Sequence, residues 1–337
     1  MPNNKLAIHG GIPVRATKMP KRVAFGEAEA KGLIAAIRHY RERDEDPPYQ
    51  GAFEKSFCDR FVEFQGGGYA DAVATGTAAC YIALAALDIP KGSEVIISPV
   101  TDSGPLNGII ALGYVPVIAD SAPDSYNMGV AQFLDRVGSK TKGLLAVHSA
   151  GEPLEIDRIV EEAHRRGIKV MEDCSQAPGA RWKGQLVGTF GDSAAFSTMY
   201  RKTLQAGGSG GLVYCRDEET YHLALAHADR GKPVWRTDIN LNNPGHALFL
   251  ALNWNTNEFT CAVGIASLGR LQDTIDRRNT FMATLVRLLR EQSNVCSPYN
   301  FHEGFSPFFF PIFVDTGKIT CSKTEFAAAV LAEGIDL

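Results

Sequence analysis

The sequence predicts an α/β fold built on a mostly parallel sheet that is covered by helices, followed by a second, smaller domain. From about residue 70, short runs rich in β-branched residues alternate with helical stretches, which is typical of βαβ units. The length of 337 residues exceeds the roughly 250–300 residues at which single cores stop growing. We therefore expect a large domain over residues 1–240 and a small C-terminal domain over residues 241–337.

The elements follow from local composition, taken in chain order. Strands are predicted at 72–74, 94–97, 115–118, 143–148, 169–171, 194–198, 211–214 and 308–314. Helices are predicted at 78–87, 153–166, 259–289 (one helix or two joined ones) and 323–331, with another ending at Gly113. Residues 229–257, rich in Asn, Gly and Pro, are interpreted as a long functional loop. Residues 334–337 resemble the start of a strand, so the small domain is expected to be incomplete at its end.

Charge and composition exclude several classes of protein. The net charge of −4 argues against nucleic acid or an anionic membrane as the main partner, because both require a basic face. No apolar run approaches the ~20 residues of a membrane span, and the polar N-terminus lacks a signal-peptide core. The seven cysteines are scattered without a CxxC pair, which favours a reducing cytoplasm and predicts no metal site. Dinucleotide, P-loop and HExxH motifs are absent.

Lys202 is the first candidate for chemistry. It lies between the strand at 194–198 and the glycine-rich turn at 207–211. A lysine that forms a Schiff base must lose its proton, which requires a site that disfavours the ammonium form. Taken alone, Lys202 is more simply interpreted as an ordinary surface lysine.

Three further positions fall at the ends of predicted strands, where ligands bind in open α/β sheets. Asp173 could keep a pyridine nitrogen protonated, although an Asp there could also cap a helix. Gly76-Thr77 opens a helix and could bind a phosphate through its free N–H groups. Ser197 could add a hydroxyl to the same phosphate or be a buried structural serine. His148 is interpreted as a structural histidine.

In order and spacing, these segments resemble the DegT/DnrJ/EryC1/StrS group of pyridoxal-phosphate (PLP) dependent sugar and cyclitol aminotransferases. The matching stretches are ATGTAA at 74–79, VMEDCSQAPGA at 170–180, GDSAAFS at 191–197 with Lys202, and NWNTNE at 253–258. Lys202 follows Asp173 by 29 residues (202 − 173), which is the spacing of the family. The resemblance implies the fold-type-I architecture, a three-layer α/β/α large domain with a mixed sheet and a smaller α/β domain.

The resemblance also implies roles for individual residues. Lys202 would form the Schiff base with PLP and act as the general base, and Asp173 would face the pyridine nitrogen. Contacts to the cofactor phosphate are implied for Gly76, Thr77, Ala78, Ser197 and Asn253. Gln176 would lie near the 3-hydroxyl of the ring, and Asp102 is also implied to contact the cofactor. The segment that carries Asn253 reaches the neighbouring subunit's site in the family, which implies a homodimer. The implied substrates are glutamate or glutamine as amino donor and a keto-sugar or keto-cyclitol as acceptor.

The sequence also departs from the family pattern. Asp102 falls where the family places the aromatic residue that stacks on the pyridine ring, and Asn255 replaces an arginine. These departures leave two alternatives open. One is a PLP-dependent dehydratase or aromatising lyase, which Lys202 disfavours because family dehydratases tend to carry His there. The other is a catalytically silent relative that binds a sugar nucleotide or a partner enzyme.

Overall fold

A computed structural model describes residues 5–19 and 25–336 of the chain. The described residues form two compact units. The larger unit comprises Ala24–Met282 and Asn300–Phe310, and the smaller one comprises Met1–Val23, Ala283–Tyr299 and Pro311–Leu337. In the part of the chain that the structure describes, no helix combines the length and the apolar character needed to cross a membrane.

The helices and strands alternate along the larger unit, as predicted. The α-helices are α1 (Glu27–Arg43), α2 (Ala52–Gln65), α3 (Gly76–Ala85), α4 (Ser103–Ala111), α5 (Val130–Arg136), α6 (Ile156–Arg165), α7 (Glu218–Ala228), α8 (Glu258–Gly269), α9 (Leu271–Gln292) and α10 (Lys323–Ala332). The strands are β1 (Tyr69–Val73), β2 (Glu94–Ile97), β3 (Val115–Ile118), β4 (Thr141–Val147), β5 (Lys169–Asp173), β6 (Arg181–Trp182), β7 (Gln185–Leu186), β8 (Ser193–Ser197), β9 (Gly211–Cys215), β10 (Cys296–Pro298) and β11 (Ile312–Val314).

Seven strands form one mixed sheet in the order β1-β9-β8-β5-β4-β2-β3. Strands β8, β5, β4, β2 and β3 are parallel, whereas β9 runs antiparallel to both of its neighbours, β1 and β8. The mixed, mostly parallel sheet confirms the predicted fold class. Because β1 therefore points the same way as β8, the carboxyl ends of β1, β2, β4, β5 and β8 lie at one edge of the sheet. Ligands of open α/β sheets bind at this edge.

Helices cover both faces of the sheet. On one face, α3 and α7 pack against side chains such as Val73, Leu145 and Val213. On the other face, α2 and α8 pack against Phe196 and Leu212, and α6 packs against the strands nearer β2. The central strands are buried on both faces, which explains why their sequences are continuous apolar runs rather than alternating ones.

The predicted domain boundary at residue 240 lies inside the larger unit. Helix α8, which the prediction assigned to the small domain, packs closely on α1 and α2. Small residues permit this approach: a Cβ at Gly32 would lie 2.9 Å from the Ala262 carbonyl oxygen, and a Cβ at Gly264 would lie 2.6 Å from the Phe57 ring. Composition alone does not reveal such close packing between segments about 200 residues apart.

Two other expectations change in detail. The helical stretch at 259–289 consists of two helices, α8 and α9, which are separated at Arg270. The predicted strand at 308–314 is confirmed only for Ile312–Val314, which pairs with β10. The preceding residues form no strand, because Pro311 lacks an N–H group and the N–H of Phe308 donates to the Ala150 carbonyl at 3.1 Å. Residues 334–336 form no strand, and Leu337 lies outside the described residues.

The smaller unit joins the N-terminal segment to α10. The carboxylate of Glu333 accepts the N–H of Ala7 and the N–H of Val14, each at 2.9 Å. Helix α10 begins with a capping box, in which Ser322 and Glu325 each accept a backbone N–H of the other residue. The chain before the large domain is therefore held by residues more than 300 positions later.

Candidate active site

A cavity of about 210 Å³ lies at the carboxyl edge of the sheet, inside the larger unit. It is lined by Thr75, Gly76, Thr77, Cys80, Thr101, Asp102, Pro105, Val147, Asp173, Ser175, Gln176, Ser197, Met199, Lys202 and Ser209. Seven of the nine predicted site residues are in this group. Ala78 and Asn253 are not.

Lys202 projects into this cavity from the turn that follows β8. The turn is held by the N–H of Lys202, which donates to the Met199 carbonyl at 2.8 Å, and by the N–H of Thr198, which donates to the Gly210 carbonyl at 2.9 Å. The Nζ atom lies 4.6 Å from the centroid of the Phe308 ring. Burial lowers the pKa of Lys202, and the neighbouring charges of Asp173 and Asp102 oppose this effect. The site therefore favours the uncharged amine that nucleophilic chemistry requires.

Asp173 ends β5, and its side chain is nearly buried on the cavity wall. The Oδ1 atom accepts the N–H of Ser175 at 2.9 Å, which fixes the carboxylate at the strand end. Cys80 of α3 lies beside it. Burial raises the pKa of the Cys80 thiol well above its ordinary value, and the charge of Asp173 and a hydrogen bond to it act in the same direction. Cys80 is therefore a protonated thiol next to the carboxylate.

The first turn of α3 forms another wall of the cavity. Thr75 caps the helix, and its Oγ1 accepts the N–H of Ala78 at 2.9 Å. The N–H groups of Gly76 and Thr77 have no partner inside the helix, because first-turn N–H groups precede its first carbonyl acceptors. A Cβ at Gly76 would lie 2.4 Å from the Cβ of Ser197. Glycine at 76 thus allows the helix N-terminus and the Ser197 hydroxyl to face the same space.

Asp102 and Gln176 line the cavity and also hold backbone groups. Asp102 caps α4, and its Oδ1 accepts the N–H of Gly104 at 2.9 Å. The Oε1 of Gln176 accepts the N–H of Ala150 at 2.7 Å, and Ala150 has a left-handed backbone with φ of 63°. Asp102 is therefore fixed by its own segment at the start of α4, and Gln176 is fixed by the loop that contains Ala150.

Comparisons with known proteins show the family of this chain. The family model of the DegT/DnrJ/EryC1/StrS aminotransferase family matches residues 42–337. The chain belongs to this family. It is 32% identical over 260 residues to GDP-perosamine synthase of Escherichia coli O157:H7, covering 74% of this chain and 68% of that protein. It is 29% identical over 294 residues to L-glutamine:2-deoxy-scyllo-inosose aminotransferase of Streptomyces paromomycinus, covering 85% and 68%.

A solved structure shows the same architecture. The aminotransferase from Psychrobacter cryohalolentis superposes with a TM-score of 0.81 at 27% identity, covering 90% of this chain and 78% of that one. The matches to the two curated DegT/DnrJ/EryC1/StrS relatives span about two thirds of their own length.

Two residues implied by the family resemblance lie elsewhere. Ala78 does not line the cavity, and its N–H is engaged by Thr75. Asn253 is exposed on an extended segment beside β1, where its Nδ2 donates to the Tyr49 hydroxyl at 3.2 Å and its Oδ1 accepts the N–H of Asn255 at 3.1 Å. In a single copy of the chain, Asn253 and the Lys202 cavity are separate.

His148, Glu172 and Cys174 are the one group in the described part of the chain with ligand atoms close enough to hold a metal ion. Their hydrogen bonds argue for a structural role. Glu172 accepts the N–H groups of Gly188 and Gly191 at 2.8 and 2.7 Å, and it also accepts that of Phe190. His148 Nδ1 accepts the N–H of Leu154, so its Nε2 donates to Glu172 at 3.0 Å. The ligand atoms of His148 and Glu172 are therefore fully engaged by hydrogen bonds, which fits the structural role predicted for His148.

Sequence reasoning missed part of the cavity. Cys80, Ser175, Met199 and Ser209 line it without having been singled out. Ser175 and Met199 flank predicted residues in the chain and could have been included on that ground. Cys80 had a weaker signal: it lies one helical turn after Gly76, so it faces the same side as the turn that begins α3.

Proposed function

We propose that this chain is a pyridoxal-phosphate-dependent aminotransferase that transfers an amino group to a keto-sugar or keto-cyclitol. The observation that carries the proposal is Lys202, a partly buried lysine with a lowered pKa in a cavity that it shares with Asp173. Membership of an aminotransferase family supports the reaction class, and the relatives named above support the two acceptor classes.

The cavity residues suit the parts of this cofactor. A phosphate fits the first turn of α3, where Gly76 and Thr77 offer N–H groups, the helix dipole is positive and Ser197 offers a hydroxyl. A ring nitrogen that must stay protonated fits the Asp173 carboxylate. An aldehyde fits the Nζ atom of Lys202. The crowding at Gly76 supports this assignment, because a side chain there would collide with Ser197 and separate the helix N-terminus from the serine hydroxyl.

When bound, pyridoxal phosphate supplies an electron sink for the pair released by breaking the Cα–H bond of an amino donor. Lys202 binds the cofactor covalently through Nζ. Nζ of Lys202 would accept the Cα proton of the donor and return it to the cofactor side, and its lowered pKa favours the uncharged amine that this role requires. The Asp173 side chain would face the ring nitrogen. Gln176, which accepts the N–H of Ala150, would contact the ring's 3-hydroxyl.

Glutamate or glutamine is the proposed donor, and the keto acid leaves before the acceptor enters. The keto-sugar or keto-cyclitol acceptor then takes the amino group while Lys202 moves the proton in the reverse direction. We propose that Asn253 completes the site of a second copy in a homodimer. Its exposure and its absence from the lining of its own cavity support this arrangement.

The test is a donor half-reaction followed by product analysis. Purified protein loaded with pyridoxal phosphate should convert L-glutamate or L-glutamine to its keto acid in stoichiometric amount. Lys202→Ala should abolish this conversion without unfolding. An active Lys202→Ala variant would overturn the proposal. Ammonia release without a keto acid, from a keto-sugar substrate, would instead support the dehydratase or lyase alternative.

A further inference from the structure

A second cavity, of about 340 Å³, lies beside the edge strand β1 in the larger unit. Its walls come from α2, β1 and α7 and from the loops that contain Gln50 and Trp235. It is lined by Gln50, Glu54, Lys55, Cys58, Asp59, Ala70, Asp71, Tyr221, Leu225, Val234 and Trp235. It shares no lining residue with the cavity of Lys202.

Two carboxyl groups in this cavity are buried without a positive partner. Glu54 is 2% exposed and Asp71 is 5% exposed. The Oε1 atom of Glu54 has no hydrogen-bond partner within residues 5–19 and 25–336, whereas its Oε2 accepts the N–H of Gln50 at 2.9 Å. Neither acid takes part in an ion pair within the described residues. An isolated buried carboxylate carries a large desolvation cost unless a positive group compensates it.

The neighbouring charged groups are already engaged. Lys55 on the cavity rim pairs with Asp59 at 2.6 Å. Arg230 pairs with Asp229 at 2.5 Å. The buried Glu258 next to Glu54 accepts the Tyr40 hydroxyl and the N–H groups of Phe53 and Glu54. The net charge of the groups around this cavity is therefore negative.

This balance changes the ionisation of the two acids. Burial raises the pKa of Glu54 to about 7, and the charge of Glu258 adds to the shift. Burial also raises the pKa of Asp71, with further contributions from Glu54 and Asp229. In the absence of a positive group, these shifts favour the protonated form of both carboxyls. A cation in the cavity would replace those protons.

The walls indicate which kind of cation fits. A divalent ion requires several ligand atoms close together. Within the described residues, such a group occurs only at His148, Glu172 and Cys174, which lie outside this cavity. The present cavity instead has two aromatic walls. The Tyr221 ring is stacked on Tyr69 with 5.3 Å between centroids, and the Trp235 ring is stacked on His222 with 4.4 Å between centroids. Fixed aromatic rings beside carboxylates attract organic cations.

We propose that this cavity binds an alkylammonium or guanidinium group between Glu54 and Asp71. The group comes either from a free small amine or from a lysine or arginine side chain of a second copy of this chain. The chemistry of recognition is the same in both cases: a salt bridge to a buried carboxylate and a face of Trp235 or Tyr221. This site would operate independently of catalysis at Lys202.

The first experiment titrates wild-type protein with n-butylammonium chloride at constant ionic strength, with sodium chloride as reference. Melting temperature and tryptophan fluorescence report binding, since Trp235 lines the cavity. A saturable increase in melting temperature is expected for wild type. Asp71→Asn should raise the dissociation constant of n-butylammonium by about tenfold or more, because one of the two carboxyls that would hold the cation becomes a neutral amide. Asp59→Asn, which alters an exposed acid at the cavity rim, should leave that dissociation constant unchanged.

Calorimetry at pH 6 in two buffers of different ionisation enthalpy adds a second readout. Amine binding should release protons from Glu54 and Asp71, and Glu54→Gln should reduce that release. Circular dichroism verifies that each variant is folded. Because both changes replace a carboxyl by an amide of the same shape, folding is expected to be retained.

The oligomeric state distinguishes the two sources of the cation. If a second copy supplies it, wild type binds no butylammonium, and Asp71→Asn raises the dissociation constant of the dimer by about tenfold or more in sedimentation velocity. Asp59→Asn should not change that constant. The proposal is overturned if Asp71→Asn and Glu54→Gln change neither amine binding nor the dimer. The two acids would then only protect the edge of β1 from pairing.

Discussion

The Nζ atom of Lys202 lies 4.6 Å from the ring of Phe308, a residue 106 positions later in the chain (308 − 202). The ring covers the amine on one side, and the N–H of Phe308 is held by the Ala150 carbonyl at 3.1 Å. The ring removes water from the amine, which disfavours the ammonium form, and this effect outweighs the attraction of the ring face for a cation because burial is the largest cause of the lowered pKa. Phe308 is therefore part of the reason that burial lowers the pKa of Lys202.

The first prediction follows from this contact. In Phe308→Ala, water reaches Nζ, so the pKa of Lys202 should rise towards its ordinary value. The fraction of uncharged amine at pH 7 to 8 then falls, and covalent attachment of pyridoxal phosphate should be slower there and recover at higher pH. Stopped-flow absorbance against pH measures this. Phe309→Ala serves as the matched control, and an equal shift in both variants would contradict the role of Phe308.

Asp173→Asn should separate cofactor attachment from catalysis. The amide retains the shape of the strand end but removes the negative charge, so the electron sink weakens. We expect a fall in turnover of about 100-fold or more. Covalent attachment at Lys202 should persist, because removing this carboxylate lowers the pKa of Lys202 further. A variant with near wild-type turnover would show that Asp173 does not face the cofactor.

Gly76→Ala tests the assignment of the phosphate to α3. The new methyl group would lie 2.4 Å from the Cβ of Ser197, so the helix and β8 must separate. The expected cost is about 1–3 kcal/mol of folding stability together with weaker cofactor binding. Gly208→Ala, where a Cβ has nothing within 4 Å, is the control. Equilibrium dialysis and urea unfolding measure the two effects, and unchanged cofactor affinity in Gly76→Ala would contradict the assignment.

Removal of metal ions should have no effect on stability. The carboxylate of Glu172 is saturated by His148 and three backbone N–H groups, so the cluster needs no ion. Chelator treatment should leave the melting temperature unchanged, whereas Glu172→Ala should cost about 3–5 kcal/mol, since buried partners lose their acceptor. A chelator-dependent loss of stability that added zinc restores would show that the group binds metal.

The acid beside β1 predicts a pH dependence of stability. The pKa of Glu54 in the folded protein is raised to about 7 from an ordinary 4.5. For an acid shifted upwards, the stabilisation is complete below pH 4.5 and is lost as the pH rises to 7. In the absence of added amines, unfolding free energy should therefore fall across this window, by about 3 kcal/mol at most from Glu54. Glu54→Gln should reduce that slope, with Asp71 supplying what remains, and an unchanged slope would contradict the role of Glu54.

Much of the sheet could be predicted from the sequence, because strands buried on both faces appear as continuous apolar runs bounded by turns. The run at 94–97 coincides with the mostly buried strand β2, and the run at 115–118 coincides with the edge strand β3, where Val115 and Ile118 are exposed. The residues at strand ends were also predictable, since parallel strands bring Asp173, Ser197 and Gly76 to one edge. This geometry requires no knowledge of side-chain packing.

Contacts between distant segments could not be predicted. The ring of Phe308 reaches Lys202 only because residues 300–310 return to the larger unit. The placement of Cys80 beside Asp173 depends on how α3 packs across β5 and β8. Likewise, no local pattern shows that Glu54 of α2 and Asp71 of β1 share a cavity. Such relationships arise from tertiary packing.

The central claim is that Lys202 holds the cofactor, and peptide mapping tests it most directly. Protein incubated with pyridoxal phosphate is reduced with borohydride, digested and examined by mass spectrometry. The account predicts one modified residue, Lys202, and loss of the modification in Lys202→Ala while the fold is retained. Modification at another lysine, or none in wild type under conditions where the protein is folded, would contradict the account.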